Sequence, residues 1–469
     1  MNLCHAPNMA RAAGLSIARA MGSLCKTKGV AMLERFWSAA TQGQAMAAGR
    51  LDPVEMVEAY LDAAEGRTDV YARLTPERAR SEAMAARTRL RAGLARGPLD
   101  GVALSWKDLF DTAGIATEAG SQLLAGRVPA TDAEVLQAAT LTGTVCLGKT
   151  HMTELAFSGL GINPMTATPP NAVTAGLAPG GSSSGAAVSV KLGLAAAAVG
   201  SDTGGSVRIP AAWNDLVGLK TTQGRVSTAG VVPLCKRFDT VGPLARTVED
   251  CALVLAAIEG RTAPDLRGAT LSGTRLLVLD GLPFASAREA PVRGFEAAVT
   301  RLEKAGARIE RRVLPMLEPA MDLSGILFAP EAYGLWAEVI EAAPEKMYPV
   351  ILQRFRGGAA INAADYVKAW DLLARLRNAW QAAVAGYDAV LVPTAPILPP
   401  DAARLLTDPA YFAAENLLAL RNTRIANIFG LCALTLPTGE PMCGISLMGK
   451  PMQEAALCRL GSAAEAALG

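Results

Sequence analysis

The chain has 469 residues, of which 51% are hydrophobic, and its 45 basic and 43 acidic side chains leave a net charge of +2. A charge this close to zero argues against nucleic acid or an anionic membrane as a partner, and a chain of this length can bury a large core without disulfides or metal. The eight cysteines form no C-x-x-C pair and there are only two histidines, so the sequence holds no zinc-ligand cluster. No apolar run approaches the roughly 20 residues of a membrane span. We therefore expect a cytoplasmic protein that uses no metal.

The first 32 residues differ in composition from the rest of the chain. They contain no Asp or Glu and four basic residues, and their apolar stretch is broken. A targeting peptide usually has a longer apolar core or a clear Arg-rich amphipathic helix. We therefore expect residues 1–32 to be a disordered extension or the result of a translation start placed too early, with targeting as a third alternative. Residues 33–469 are expected to form one domain, because no low-complexity linker divides them.

The first clear elements are a helix and a strand. Asp52 followed by Pro53 and Glu55 is typical of a helix start, with Asp52 as the N-cap. Residues 101–107 (GVALSWK) predict a short apolar strand that ends on Lys107. A lysine at a strand end is most often an exposed edge residue, so this position alone does not indicate catalysis.

A capping box at 131–134 predicts a helix that ends near Gly143, and residues 144–148 predict a strand. Residues 143–150 also match the phosphate-loop pattern G-x-x-x-x-G-K-[ST]. That pattern requires a strand, then a loop, then a helix, whereas here a helix precedes Gly143 and the intervening residues resemble the strand itself. A P-loop nucleotide-binding protein is therefore only a remote alternative.

Residues 180–210 contain two small-residue turns, GGSSSG and SDTGGS. Between them, residues 186–192 predict a short helix and residues 195–199 a short strand. Glycine runs allow backbone N–H groups to converge on a ligand atom, and a serine at a helix start lies beside those donors. This arrangement suits a hydroxyl nucleophile beside an oxyanion site. A purely structural role, in which the two segments are tight turns that let helices pack closely, explains the same residues equally well.

A competing serine-hydrolase motif fails on the positions of the histidines. Residues 181–185 match G-x-S-x-G, the nucleophile elbow of α/β-hydrolases, which place their histidine after the serine. Here both histidines, His5 and His151, precede it. No Ser-His-Asp triad of that order can form, which is an independent reason to expect a lysine base. His151 is expected to be a hydrogen-bonded loop residue.

Strands and helices continue to alternate in the second half of the chain. Residues 276–279 predict a strand, apolar residues at helical spacing across 292–302 predict a helix, and a further strand is expected near Ile309. Residues 361–385 carry one apolar helical stripe, and residues 389–392 predict another strand. Apolar strands that alternate with helices predict an α/β layered fold.

GGSSSG, followed by GSDTGGSVRIPA and then by VGLKTTQGRVS and DTVGPLARTVED, closely resembles the signature of the amidase signature family of serine hydrolases. Lys107 and Ser182 are 75 residues apart, and Ser182 and Ser206 are 24 residues apart. The three catalytic residues of well-known relatives have the same two separations. The resemblance extends from about Leu51 to the C-terminus. It implies a single α/β/α domain with a central mixed β-sheet covered by helices on both faces.

The resemblance also implies roles for three residues. Ser206 would be the nucleophile, Ser182, next to a cis peptide bond, would be the relay, and Lys107 would be the base. A serine hydroxyl is a poor nucleophile until a base accepts its proton, and an ammonium cannot do so. Lys107 must therefore be neutral, and burial is what lowers a lysine pKa.

Residues beside the nucleophile have supporting roles in this interpretation. We expect the backbone N–H groups of Thr203, Gly204 and Gly205, with that of the nucleophile itself, to bind the oxyanion. Asp202 and Arg208 are expected to pair structurally on either side of the nucleophile.

The resulting functional prediction is hydrolysis of a carbon–nitrogen bond in a small carboxamide, with anilides, carbamates (urethanes) and esters as further substrates. The glutamine-hydrolysing subunit of a tRNA-dependent amidotransferase belongs to the same family and is the chief alternative. A catalytically silent binding protein is disfavoured, because all three proposed catalytic residues are present. We expect a small-molecule partner and no cofactor, and a homodimer is left open. Residues 157–164 and 316–333 are expected to be loops that shape the pocket.

Overall fold

A computed structural model describes residues 33–469, and the predictions for residues 1–32 therefore lie outside the described residues. The strands are β1 (Tyr71–Leu74), β2 (Ala103–Lys107), β3 (Val145–Thr150), β4 (Ala197–Ser201), β5 (Val217–Lys220), β6 (Val241–Ala245), β7 (Arg275–Leu279), β8 (Arg308–Arg312), β9 (Ala389–Pro393), β10 (Ala433–Pro437) and β11 (Gly444–Met448). The α-helices are α1 (Ala39–Ala47), α2 (Pro53–Ala64), α3 (Pro76–Arg91), α4 (Glu134–Leu141), α5 (Ser184–Lys191), α6 (Arg208–Trp213), α7 (Val248–Glu259), α8 (Glu289–Lys304), α9 (Leu317–Asp322), α10 (Ser324–Ala342), α11 (Pro349–Arg356), α12 (Ala363–Val384), α13 (Ala402–Thr407), α14 (Pro409–Ile428) and α15 (Glu454–Leu468).

The strands of residues 33–469 form one mixed sheet in the order β1-β3-β2-β4-β6-β5-β10-β11-β9-β7-β8. β2 is parallel to β3 and β4, β7 is parallel to β8 and β9, and the other neighbours are antiparallel. β2, β3, β4, β6, β9 and β11 are buried at every position, which requires helices on both faces. The edge strand β8 is charged and mostly exposed, which discourages pairing with another chain. The predicted α/β fold with a central mixed sheet is confirmed.

Most of the predicted elements are confirmed. Asp52 caps α2 by accepting hydrogen bonds from the N–H groups of Val54 and Glu55 at 2.9 and 3.4 Å. β7, α8 and β8 form the predicted unit, and the two strands in it are parallel. α5 and β4 each begin two residues from their predicted starts. The small apolar residues in this segment suit a buried helix and a buried strand equally, so they do not fix the exact boundary.

The predicted capping box at 131–134 is wrong. The N-cap of α4 is Ala133, which has no side chain able to cap. In the predicted box the Thr131 hydroxyl would cap the Glu134 N–H, but that N–H donates to the Ala229 carbonyl at 3.2 Å and the Glu134 carboxylate accepts a hydrogen bond from Ser227 Oγ at 2.6 Å. A tertiary contact has therefore replaced the local cap.

The segment that matches the phosphate-loop pattern is a strand, as predicted. β3 contains Lys149, whose side chain is completely buried. Lys149 Nζ lies 3.1 Å from Asp108 Oδ1 and 2.8 Å from Thr117 Oγ1. The lysine is thus paired inside the protein rather than presented to a phosphate.

Parallel pairing of β2 with β4 determines where polar residues meet. Trp106 of β2 is the register partner of Val199 of β4. Lys107 and Ser201 are the last residues of β2 and β4, so the parallel pairing places both at the same edge of the sheet. In α/β sheets, ligand sites lie at the carboxyl ends of parallel strands.

No helix in residues 33–469 combines the length and the apolar character that crossing a membrane requires. In the same part of the chain, no three His, Cys, Asp or Glu side chains are grouped as metal ligands would be.

Candidate active site

Lys107 is completely buried and contacts two hydroxyl groups. Its Nζ lies 2.7 Å from Ser182 Oγ and 2.8 Å from Ser201 Oγ. Burial disfavours the charged form and lowers the pKa of Lys107 to about 7, although the negative charges of Asp202 and Asp239 oppose this shift. A large fraction of this lysine is therefore neutral near pH 7, with a lone pair that can accept a proton.

Ser182 lies just before α5, and the peptide bond between Gly181 and Ser182 is cis. The Ser182 side chain is fully buried, and its carbonyl accepts a hydrogen bond from the Thr153 N–H at 3.1 Å. Gly181 is packed so closely that a Cβ at this position would lie 2.7 Å from Thr153 Oγ1. The hydroxyl of Ser182 is therefore held against Lys107 by a closely packed segment.

Asp202 and Arg208 form a buried ion pair in the turn between β4 and α6. Arg208 Nη2 lies 2.9 Å from Asp202 Oδ1, and Arg208 Nε lies 3.0 Å from Oδ2. The same carboxylate accepts hydrogen bonds from the Val207 N–H at 3.2 Å and from the Asn427 amide at 2.9 Å. Burial alone would raise the pKa of Asp202, but the neighbouring Arg208 charge outweighs it and the pKa falls to about 2. The carboxylate therefore stays charged and holds the backbone of the turn.

Gly205 occupies a position in this turn that only glycine fits. Its φ is +143°, and a Cβ there would lie 2.2 Å from Thr423 Oγ1. The Gly205 N–H donates to Asp202 Oδ1 at 2.8 Å. The expectation that Gly205 binds the oxyanion is therefore corrected, because its N–H is already used to shape the turn.

Three other N–H groups of the turn have no such partner. Those of Thr203, Gly204 and Ser206 donate no hydrogen bond to any group in residues 33–469. All three residues line a cavity of about 250 Å³, whereas Gly205 does not. The turn can therefore present three backbone donors to an oxygen atom in that cavity.

Of the three proposed catalytic residues, Ser206 lines the cavity, whereas Lys107 and Ser182 do not. The Ser183 N–H donates to the Ser206 carbonyl at 3.2 Å, which ties the two serine turns together. Within residues 33–469, no hydrogen bond joins the hydroxyls of Ser182 and Ser206, a contact that often forms only when substrate binds. The walls are mostly apolar, and their large apolar side chains are Phe157, Leu234, Phe328, Leu417 and Leu420.

Both predicted pocket segments contribute to the cavity, but the second is not a loop. Phe157 and Ser158 come from the first segment, and Ser324 and Phe328 come from α10 in the second. Pro330 lies inside α10 and is a typical signal for a break. The buried apolar side chains on either side of it hold the helix together across that position.

Two site residues were not predicted. Ser201 is brought to Lys107 by the parallel pairing of β4 with β2. A prediction that these two strands are neighbours would have indicated this contact. Asp239 accepts a hydrogen bond from Thr203 Oγ1 at 2.6 Å and two more from the N–H groups of Leu234 and Cys235. Asp239 opens the DTVGPLARTVED segment of the signature, but Thr203 lies 36 residues before it, so the chain alone does not show that the two residues meet.

His151 takes no part in this site. Its Nε2 lies 3.1 Å from the Thr68 carbonyl oxygen, and burial lowers the pKa of the ring. The prediction of a hydrogen-bonded loop residue is confirmed.

Comparisons with known proteins agree with one another. Residues 55–458 match the family model described as Amidase. The 2-amino-5-chloromuconic acid deaminase of Comamonas testosteroni is 38% identical over 416 residues, covering 86% of this chain and 90% of that protein. A glutamyl-tRNA(Gln) amidotransferase subunit from Chloroflexus aggregans is 32% identical, covering 89% of this chain and 94% of that protein. A crystal structure of an amidase aligns with a TM-score of 0.82 at 30% identity, over 92% of this chain and 100% of that chain.

Proposed function

Because the chain belongs to the Amidase family, we propose that it hydrolyses the carbon–nitrogen bond of a small carboxamide through an acyl-enzyme on Ser206. The observation that carries this proposal is the position of Ser206, which lines a cavity beside N–H groups that have no partner in residues 33–469. Its carbonyl accepts a hydrogen bond from Ser183, the neighbour of the Ser182 that contacts Lys107. A mostly apolar cavity of this size suits a small molecule. Anilides, carbamates (urethanes) and esters have the same type of carbonyl centre and are included in the proposal.

The attack begins with proton transfer through two serines. Neutral Lys107 accepts the hydroxyl proton of Ser182, and Ser182 accepts the hydroxyl proton of Ser206. Ser206 Oγ then forms a bond with the substrate carbonyl carbon, and the carbonyl electron pair moves to the oxygen. The depressed pKa of Lys107 supports this role, since a lysine near its usual pKa would be almost entirely protonated at pH 7.

The developing oxyanion is bound by the N–H groups of Thr203, Gly204 and Ser206. Loss of one donor of this kind typically costs about 3 kcal/mol of transition-state stabilisation. The buried pair of Asp202 and Arg208 fixes the turn, so the donors are aimed before the substrate arrives.

The tetrahedral intermediate then collapses and the carbon–nitrogen bond breaks. The proton held by Lys107 returns through Ser182 to the leaving nitrogen, which departs as ammonia or an amine. Water repeats the sequence on the acyl-enzyme, giving the carboxylic acid and regenerating the Ser206 hydroxyl.

The alternative is hydrolysis of glutamine, as in the amidotransferase subunits among the relatives. Glutamine carries an ammonium group, which a protein usually binds with a carboxylate. No Asp or Glu within residues 33–469 lines the cavity. This supports a carboxamide without an ammonium group, and turnover of L-glutamine provides the direct comparison.

We further propose that the enzyme acts in the cytoplasm without a metal ion or a nucleotide. Turnover should be unchanged by EDTA and by ATP. Loss of activity with the chelator, or dependence on ATP, would contradict this part of the proposal.

A fluorophosphonate probe tests the nucleophile, because it phosphorylates an activated serine. Mass spectrometry of the labelled protein should find the probe on Ser206, and Ser206→Ala should not be labelled. Label on Ser182 or its neighbours with Ser206 unmodified would overturn the assignment. A panel of primary amides, anilides, carbamates, esters and L-glutamine then defines the reaction.

A further inference from the structure

Two arginines line the same cavity as Ser206. They are Arg354 from α11 and Arg424 from α14, and no other side chain lining the cavity within residues 33–469 is ionisable. Neither forms a salt bridge in that part of the chain. Arg78 and Arg225, which are also partly buried, each meet a carboxylate at 2.7 to 2.8 Å. Arg246 has no carboxylate partner either, but both of its NH₂ groups donate to backbone carbonyls. The cavity therefore has an excess of positive charge that the described protein does not neutralise.

Arg424 is the less constrained of the two. No hydrogen bond from its guanidinium to residues 33–469 is formed, and its nearest aromatic partner is Phe328, with the ring centre 6.0 Å from Cζ. It lies close to the oxyanion turn, since a Cβ on Gly204 would be 4.0 Å from Arg424 Nε. All of its donors can therefore serve a ligand that also reaches Gly204.

Arg354 is held in place but keeps free donors. Its Nε donates to the Phe157 carbonyl at 2.9 Å, and Cζ lies 4.7 Å from the Phe157 ring centre. These contacts orient the guanidinium and leave both of its NH₂ groups without a partner in residues 33–469. Burial lowers the pKa of Arg354 and of Arg424 to about 10, and the charge of Arg424 lowers that of Arg354 further. Both remain cationic at neutral pH and repel each other.

We infer that Arg354 and Arg424 form a carboxylate-binding subsite, and that the substrate is a small amide with a carboxylate at its other end. The inference rests on the proposed function, because the subsite is defined relative to Ser206. A guanidinium presents paired N–H donors that match a carboxylate, and an anion between two cations relieves their repulsion. The proximity of Arg424 to Gly204 requires that only a few bonds separate the carboxylate from the scissile carbonyl.

The test compares substrates that differ only in charge. Malonamate, succinamate, glutaramate and adipamate are ω-amides with a free carboxylate, and their methyl esters are the neutral counterparts, followed by ammonia release. One member of the acid series should exceed its ester in kcat/KM by about 10- to 100-fold, as expected for hydrogen bonds to a charged group. Equal or better turnover of the esters throughout would overturn the subsite while leaving the amidase proposal intact.

Variants assign the preference to the arginines. Arg424→Gln removes no hydrogen bond within residues 33–469, so it should fold normally and lose about 10- to 100-fold in kcat/KM for the acid amide, with little change for the ester. Arg424→Lys should recover part of the loss, because it restores the charge but not the paired donors. The matched control is Arg356→Gln, on the same helix as Arg354 but paired with Glu341 outside the cavity. Equal losses for acid and ester substrates in Arg424→Gln would contradict the inference.

A binding measurement separates this inference from the proposed reaction. Calorimetry with succinate, glutarate and adipate should detect binding to the wild-type protein and to Ser206→Ala, and weaker binding to Arg424→Gln. Binding of a dicarboxylate with no turnover of any amide, and no fluorophosphonate label, would support the subsite and reject the proposed function. Inorganic phosphate is the parallel probe. If it binds and none of the dicarboxylates does, the carboxylate assignment is wrong.

Discussion

Lys107 Nζ lies 2.7 Å from Ser182 Oγ, and both side chains are completely buried. A buried ammonium with no carboxylate in direct contact is unstable relative to its neutral form, so the environment itself favours a free amine. Ser201 Oγ, 2.8 Å away, supplies a second hydroxyl that orients the amine. The pair therefore combines a base near its working pKa with a hydroxyl already in hydrogen-bonding contact.

Substitutions of the three proposed catalytic residues should differ in severity. Ser206→Ala should abolish turnover, because it removes the proposed nucleophile. Lys107→Ala should be nearly as severe, since no histidine of residues 33–469 lines the cavity or contacts Ser182. Ser182→Ala should retain a small residual rate, because water can occupy the place of the hydroxyl. Steady-state kinetics checks this order. Ser189→Ala is the control, because Ser189 is also a buried serine but lies on α5 and contacts Ser105 instead of Lys107. Near-normal turnover in Lys107→Ala would eliminate it as the base.

The pH profile of kcat/KM should have a limb that rises through about pH 7, because Lys107 must lose its proton to act and burial lowers its pKa to that value. Lys107→Ala should lose this limb. Glu154 is the necessary control, since burial raises its pKa to about 7 as well. Glu154→Gln should keep the limb, and disappearance of the limb in that variant would assign it to the glutamate instead.

The same lysine predicts how stability depends on pH. Between pH 7 and 10.5 the unfolded chain holds a proton on Lys107 that the folded protein has released. Stability should therefore rise with pH across this window as far as Lys107 contributes. The free energy of unfolding in urea, measured at several pH values for wild type and for Lys107→Met, should show a smaller rise in the variant. Identical slopes would mean that the lysine is not depressed.

Asp202→Asn should destabilise the protein strongly. It leaves the Arg208 guanidinium buried opposite a neutral group, and removing one partner of a buried ion pair typically costs about 3–5 kcal/mol. Urea unfolding measures the change. Asp265→Asn is the matched control, because its ion pair with Arg267 has the same 2.8–2.9 Å geometry but is largely exposed, and it should change nothing measurable. Similar effects of the two substitutions would mean that burial of the Asp202 pair has no special importance.

Gly205→Ala should lower stability and activity together. The added Cβ would lie 2.2 Å from Thr423 Oγ1, at a φ of +143° that other residues rarely adopt. Gly204→Ala is the control for folding, since its Cβ would come no closer than 3.7 Å to a neighbour. Thermal unfolding should therefore be shifted down in the first variant only. A normal melting temperature for Gly205→Ala would show that the turn adapts.

Residues 1–32 should be dispensable. A chain that begins at Met32 retains every strand of the described sheet, and the removed segment has no acidic residues and no packing pattern. Its melting temperature should stay within about 1 °C of that of the full chain, a shift that corresponds to about 1 kcal/mol at this chain length. Turnover should also be unchanged. A marked loss of either would assign the segment a structural or catalytic role.

Much of the local structure could be predicted from sequence. The α2 start at Asp52 and the apolar periodicity of α8 and α12 depend on residues that are close together in the chain, and these predictions are confirmed. The predicted capping box at 131–134 is wrong because the side chain of Glu134 is used by Ser227, 93 residues away. The segment 316–333, predicted to be a loop, is largely helical because the buried apolar side chains of α10 hold the helix together across Pro330.

The sequence by itself determined the family and three candidate catalytic positions, because the spacing of Lys107, Ser182 and Ser206 and the glycine-rich turns are properties of the chain. Only the tertiary structure decided what surrounds them. Ser201 reaches Lys107 through strand pairing, the Gly205 N–H turns to Asp202, and two arginines from separate helices meet at one cavity. The physical reason is that desolvation and unpaired charge arise from contacts between residues far apart in the chain. A local pattern specifies which groups are available, and packing alone specifies which of them meet.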